Sequence, residues 1–370
     1  MVKLLLLNKL NRRTMLKLAL PCGSALLLTL ACFSEANAQK AEAVRVVKDA
    51  KAKKIDVYIG KQVFTSFLYP DTLEKPVLYP LRAANGTVVT RGFPVSPKPG
   101  DPTDHPHHLG LWLNFENVNG LDFWNNSYAI PQEKKGSYGW IKTDKILTTT
   151  SGTTGTLAYH ANWTNQKNEV LLEETTRFEF SGTERERTID RVTTLKAVMD
   201  VVTFTDAKDG LLGLRLAHEL QIPSDKDEKF TDSKGIVTVV KAGADKVPNG
   251  NYLTSAGKRG NDAWSTRATW CKVYGKMGKD SVSITIIDHP KNVNYPTFWH
   301  ARGYGLFAAN PLGEKIFTND KSAKNLQLKK GESVTFRYRV LIDEGGKTPT
   351  PKQLNDAAAD FAKKSVASAK

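Results

Sequence analysis

Hydrophobic and polar residues alternate along most of this chain. In residues 334–342, Val334, Phe336, Tyr338, Val340 and Ile342 fall on one face, and Thr335, Arg337 and Arg339 on the other. Successive side chains of an extended strand point to opposite faces, so this run predicts an antiparallel strand with one face buried and one face wet. Shorter runs of the same character occupy residues 55–59, 63–68, 77–81, 87–91 and 146–150, separated by Gly, Pro and Asn. Longer ones cover residues 156–163, 170–180 and 187–198. Strands of about ten residues suit two large sheets packed face to face, and the βα alternation of a parallel sheet is missing. The expected fold class is all-β: a large antiparallel β-sandwich.

Helical periodicity is scarce. Thr350-Pro351-Lys352-Gln353 supplies an N-cap, a proline at the first helical position and a glutamine for a capping box. Leu354, Ala358 and Phe361 then form an apolar stripe. A C-terminal helix is therefore expected as a lid over a sheet edge, with a frayed tail beyond Lys363. Residues 223–248 are polar apart from the short run 236–240 and read as a surface excursion. The division expected is a leader at 1–38, one β-sandwich domain at 39–349, and a helix and tail at 350–370.

The leader changes the picture of location. Lys3, Lys9, Arg12, Arg13 and Lys17 precede an apolar stretch too short for a comfortable membrane span, and Ala36-Asn37-Ala38 fits a cleavage site. Arg12-Arg13 resembles the twin-arginine export signal, although Asn11 and Met15 depart from it and leave the general secretory route open. Thr29-Leu30-Ala31-Cys32 makes a poor lipidation motif, so lipid anchoring is the lesser alternative to a free periplasmic or extracellular protein. Nothing beyond the leader approaches a membrane-spanning length. Cys22 and Cys32 lie in the leader and only Cys271 remains, which excludes an internal disulfide and leaves stability to the core. The net charge is +15; the leader carries five basic residues and Glu35, which leaves +11. The lysines are dispersed, without a basic stripe or a nucleic-acid motif, so a nucleic-acid partner is not expected.

Candidate chemistry clusters in two places. Asp104-His105-Pro106-His107-His108 holds three of the seven histidines and runs into the alternating segment 109–116. Histidine suits proton transfer near neutral pH and metal ligation. If the segment is extended, His105 and His107 face one way and His108 the other, and His105 with His107 would be half of a divalent-metal site that needs a distant third ligand. The second cluster is Asp288-His289-Pro290 and then residues 294–305, with Trp299, His300, Arg302 and Tyr304; Asn310 closes it in a turn. Arg302 offers a planar fork for a carboxylate, a phosphate or sugar hydroxyls. In Arg215-Leu216-Ala217-His218-Glu219, read as strand, Arg215 and Glu219 share a face and pair across solvent, or Glu219 serves as an acid or base near the histidines. Trp112 and Trp124 stand among amides and carboxylates, the mix that sugars call for with their apolar faces and hydroxyl rims. No G-x-S-x-G elbow, phosphate loop or dinucleotide fingerprint occurs.

Arg91-Gly92-Phe93-Pro94, residues 104–112, residues 118–124, residues 209–215 and residues 300–311 together resemble a bacterial family of unassigned function often labelled "methane oxygenase PmoA-like". The resemblance runs from about Ile55 to Ile342. Family members commonly carry Arg after the paired histidines, where Leu109 stands here. The membrane subunit named in that label spans the bilayer several times, and this sequence has no such span, so its chemistry is not carried over. Long antiparallel strands, histidines on separate strands and the closing residues 329–338 are also similar to galactose mutarotase-like supersandwich proteins, which implies carbohydrate as ligand and a His with a carboxylate on the concave sheet.

The expected function is that of an exported carbohydrate-active enzyme of epimerase, lyase or hydrolase type. His107 and His300 would exchange protons, with Asp104 or Glu219 as carboxylate partner. His108, Trp112, Trp124, Trp299, Arg302 and Asn310 would line the sugar groove. No cofactor is required beyond a possible divalent metal at His105 and His107. The alternatives are a metal-dependent enzyme and a non-catalytic glycan-binding protein. All three rest on the two histidine clusters meeting in space.

Overall fold

The computed structural model describes residues 40–98, 101–231, 237–241, 243 and 246–364. The leader and the tail beyond 364 lie outside them. Two eight-stranded antiparallel sheets dominate the described residues, with two two-stranded pairs beside them, of which one joins Val201–Phe204 to Leu326–Lys329. In spatial order the first holds Val44–Asp49, Lys54–Ile59, Gln62–Leu68, Val77–Leu78, Leu111–Phe115, Gly210–Arg215, Leu306–Asn310 and Phe298–Ala301. The second holds Asn251–Thr254, Trp270–Met277, Asp280–Asp288, Ser333–Glu344, Glu186–Ala197, Val170–Gly182, Gly155–Thr164 and Trp140–Thr150. The predicted all-β sandwich is the observed fold class.

Alternation explains the packing. Val57, Phe64, Leu113 and Phe307 of the first sheet share one continuous core with Tyr159, Phe178, Ile189 and Phe336 of the second. In the strand Ser333–Glu344 the predicted face (Val334, Phe336, Tyr338, Val340, Ile342) is buried, while Thr335, Arg337 and Arg339 keep partial exposure. Cys271 is fully buried in this core, and burial drives its thiol well above the ordinary range, so it is inert packing.

Three expectations need correction. The run 77–81 is a strand only over Val77–Leu78. Residues 87–91 form no strand; the chain doubles back through a turn in which Ala83 N donates to Thr87 O, and isolated bridges alone tie Val88 to Arg82 and Thr90 to Leu216. The terminal helix Pro351–Lys363 has the predicted capping box at Thr350 and Gln353, but it covers a face and not an edge. Its stripe of Leu354 and Phe361 packs on Leu253, Trp270, Ile287 and Leu341, an apolar patch on the outward side of the second sheet. In the excursion 223–248, Glu228–Thr231 pairs with Val237–Val240 as a hairpin. Among the described residues no helix is long and apolar enough to cross a membrane.

Candidate active site

Four strands near one end of the first sheet build the platform. Their register places Trp112 opposite Gly213, Gly213 opposite Ala308, and Ala308 opposite His300. This row faces outward, because the alternating neighbours Leu113, Leu212, Ala309 and Trp299 belong to the core between the sheets. Gly213 is required by close approach: a Cβ there would lie 2.4 Å from Cζ2 of Trp112 and 2.8 Å from Cη2 of Trp124. The two indoles, 5.1 Å apart and tilted 57° to each other, pack over this glycine as a fully buried floor.

The histidine segment crosses this floor as a turn, not as extended chain. His105 has φ +46°, and His108 N donates to His105 O at 3.0 Å. The turn brings the rings of His105 and His108 parallel, 4.8 Å apart. His108 stacks in turn on Trp112 (5.4 Å), and Tyr304 lies parallel to His105 (5.1 Å), giving a series of four near-parallel rings from the floor to the surface. Two fully buried arginines hold the turn. Arg91 donates to the carbonyls of Pro102, Asp104, His105 and His108 and, at 2.9 Å, to Asp104 Oδ1. Arg215 donates to the same Oδ1 at 2.7 Å. The other carboxylate oxygen, Oδ2, accepts from His105 Nδ1. Burial alone would raise the Asp104 pKa, but the hydrogen bond from His105 and the charges of Arg215 and Arg91 outweigh it and hold the carboxyl well below its usual range.

Burial drives His107, His108 and His300 towards the neutral form. Burial pushes His108 and His107 well below the ordinary imidazole range; His107 adds its charge against His108, and Lys75 against His107. Lys75 is itself buried, donates to the His107 carbonyl at 2.8 Å and sits 5.6 Å over the Trp112 ring; burial lowers it to about 8. At the far end of the row, burial and then Arg302 and Lys208 bring His300 down to about 3. Its Nδ1 stands 3.4 Å from Asp209 Oδ1 without a hydrogen bond. Burial raises Asp209, Glu116 and Asp122. Asp209 N donates to Glu116 Oε2 at 3.0 Å, and Glu116, Asp122 and Lys208 line an open cleft of about 550 Å³.

The two clusters do meet, through Tyr304 against His105. His107 and His300 are not in contact. His107 lines a separate small pocket of about 50 Å³ with Lys75, Leu109 and Tyr128. Trp299 cannot line a groove, because strand alternation turns it away from His300 into the core, where its indole N–H donates to Ala268 O. Trp112 and Trp124 underlie the histidines and offer no open face. Asn310 is a clamp: its amide donates to the carbonyls of Ala207 and Lys208 and its oxygen accepts from Leu312 N. The strand ends at Arg215, and His218–Leu220 is a 3-10 turn, so Arg215 pairs with Asp104 and not with Glu219, whose carbonyl accepts from Asn249 N. The rings of His105 and His107 meet edge to face at 5.6 Å, His105 Nδ1 is held by Asp104, and among the described residues no three His, Cys, Asp or Glu side chains converge as metal ligands. Arg91, Lys75 and Asp209 join the site beyond the residues named from sequence, and Arg215 and Tyr304, named there as candidates, join it as clamp and outer ring. Arg215 had a signal: it is a charge in the midst of the apolar run 211–217.

A profile for a family of unknown function (DUF6807) matches residues 54–359. No curated protein matches the chain. Among solved structures, the Slr1438 protein of Synechocystis sp. PCC 6803 is similar at 8% identity and TM-score 0.35, covering 84% of this chain and 98% of its own. A galactose mutarotase-like protein of Clostridium acetobutylicum is similar at 12% identity and TM-score 0.30, covering 82% and 99%. Another from Lactobacillus casei has 9% identity and TM-score 0.28, covering 81% and 99%.

Proposed function

Since the chain belongs to that family of unknown function, DUF6807, its role must be read from its own residues, and we propose that it is an exported enzyme that moves protons on a carbohydrate. The observation that carries this reading is the Asp104–His105 pair. Asp104 is kept ionised by two buried arginines and accepts from His105 Nδ1, which leaves Nε2 of a ring with 42% side-chain exposure to take a proton. A carboxylate so placed fixes the tautomer and stabilises the imidazolium that forms, as in the carboxylate–histidine half of a hydrolase triad.

The second proton-handling group is Asp209 beside the neutral His300. Burial raises Asp209, which favours the protonated acid that a general-acid step needs. With a base at His105 and an acid at Asp209, one proton is removed and one delivered at the reacting sugar: the base takes it from the sugar in epimerisation and elimination and from the attacking water in glycosidic cleavage, and the acid gives one to the carbon or oxygen that needs it. The adjoining cleft of about 550 Å³, edged by Glu116, Asp122 and Lys208, supports a ligand of sugar size with many hydroxyls. The roles first assigned to His107 and Glu219 pass to His105 and Asp209.

Purified protein without the leader, incubated with a panel of mono- and oligosaccharides and followed by proton NMR, tests this. Turnover of at least one sugar is expected, with His105→Ala and Asp209→Asn each lowering it by about 10²–10⁴-fold. Turnover unchanged in His105→Ala, or absent from the wild type across the panel, refutes the reading.

A further inference from the structure

Arg302 sits in the turn that joins Phe298–Ala301 to Leu306–Asn310. Its N–H donates to Leu306 O, its carbonyl accepts from Gly305 N and from the Tyr252 hydroxyl, and Gly305 has φ +91°, which this turn requires of a glycine. The backbone is thus fixed before any ligand arrives. The guanidinium lies 5.6 Å from the Trp264 ring and 5.7 Å from the Tyr304 ring. It has no carboxylate, carbonyl or hydroxyl partner among the described residues, although the residue is only partly exposed.

The nearby acids have other partners. Asp104 serves Arg91, Arg215 and His105. Asp209 lies against Lys208 and His300. A second donor is also without an acceptor: the buried indole N–H of Trp264, the ring over which Arg302 lies. A guanidinium held in place between aromatic faces with its five donors unmatched calls for an acceptor that brings charge. A neutral hydroxyl would leave the cation uncompensated, whereas a carboxylate fits the fork with two parallel hydrogen bonds. The excess of basic over acidic residues across the chain, net +15, draws anionic ligands in the same direction.

We infer that the substrate is an acidic sugar of the uronate class, whose carboxylate is bound by Arg302 beside Trp264 while the ring lies towards Tyr304 and His105. This rests on the carbohydrate reading and narrows it. Tyr304 is the common wall: His105 stacks on it at 5.1 Å, and Arg302 stands over it at 5.7 Å. Carboxylate recognition and proton transfer are therefore adjacent but are made by different residues.

Calorimetric titration with glucuronate, galacturonate and mannuronate, each beside its methyl ester and its neutral parent hexose, tests the inference. At least one acid should bind the wild type about tenfold or more tightly than its own ester. That ratio should fall towards one in Arg302→Gln. In the wild type alone, raising NaCl from ~0.05 to ~0.5 M should weaken the acid and leave the ester unchanged, which keeps the test open if the variant folds poorly. Equal affinity for acid and ester, or a preference that survives in Arg302→Gln, overturns the inference and leaves the carbohydrate reading standing. Failure of every sugar, acidic and neutral, to bind overturns both.

Discussion

Asp104 supplies a single negative charge shared by two arginines whose side chains have no exposure to solvent, while its own keeps 25%. A buried guanidinium without a counter-charge is costly, and removing one partner of such a pair typically loses about 3–5 kcal/mol. Asp104→Asn keeps the shape of the side chain and removes the charge, so it should destabilise the fold by about that amount in urea unfolding, while His105→Ala, whose side chain is 42% exposed, should cost less than about 1 kcal/mol. If Asp104→Asn unfolds within about 1 kcal/mol of wild type, the arginine clamp is not structural. The difference separates two roles that the sequence ran together. The cluster of histidines was legible because residue type and spacing advertise it. Its division of labour was not. His105 and His107 were grouped by strand alternation, and the turn at His105 regroups His105 with His108. Arg91 was hidden for another reason: its partners are mostly carbonyls, which any residue carries.

At the scale of elements, local chemistry was the most legible part. The box of Thr350 and Gln353 is complete in sequence within four residues, and the helix Pro351–Lys363 begins where it indicates. Thr350 Oγ1 accepts from Gln353 N, and Gln353 Oε1 accepts from Thr350 N at 2.9 Å. Thr350→Ala removes half of that box and should cost about 1 kcal/mol. Hydrogen–deuterium exchange should show faster exchange over residues 351–363 and unchanged protection in Ser333–Glu344; uniform loosening of both would mean that the cap acts on the whole fold. Strand pairing was far less legible. Phe298–Ala301 pairs next to Leu306–Asn310, which pairs with Gly210–Arg215 and through it with Leu111–Phe115, partners about a hundred residues apart in sequence. Alternation predicts which way Trp112 and His300 face along their own strands, but not that Gly213 and Ala308 lie between them. For the same reason Trp299 read as a site residue: its placement follows from His300 facing out, a fact of the sheet and not of the segment.

The molecule as a whole holds several ionisable groups neutral by burial, and these set how its stability responds to pH. The neighbours Asp288 and His289 show it most directly, because both are buried and they oppose each other. Burial raises Asp288 to about 7, against the hydrogen bonds donated by Asn292, Thr297 N and His289 N. Burial, with Arg337 and Lys291, lowers His289 to about 4. For Asp288 the folded state holds the proton more tightly than the unfolded chain, so its contribution is complete below about pH 4 and is lost as pH rises towards about 7. For His289 the folded state holds the proton less tightly, so its contribution is complete above about pH 6.5 and is lost as pH falls towards about 4. Between about pH 4.5 and about pH 6 the two slopes cancel, each worth about 1.4 kcal/mol per pH unit. Asp288→Asn removes the falling slope, so the unfolding free energy should climb with pH by about 1.4 kcal/mol per unit more steeply than in wild type over that window. His289→Gln should turn the slope the other way by a similar amount. Either substitution also shifts stability by a constant, since Asp288→Asn puts an NH2 in place of one of the two oxygens that accept from His289 N, Asn292 and Thr297 N, and His289→Gln changes the acceptor of Lys291 N, but a constant leaves the slope untouched. Urea titrations at three pH values in the window decide the matter: curves parallel to wild type for both variants would mean that neither group is held neutral in the fold.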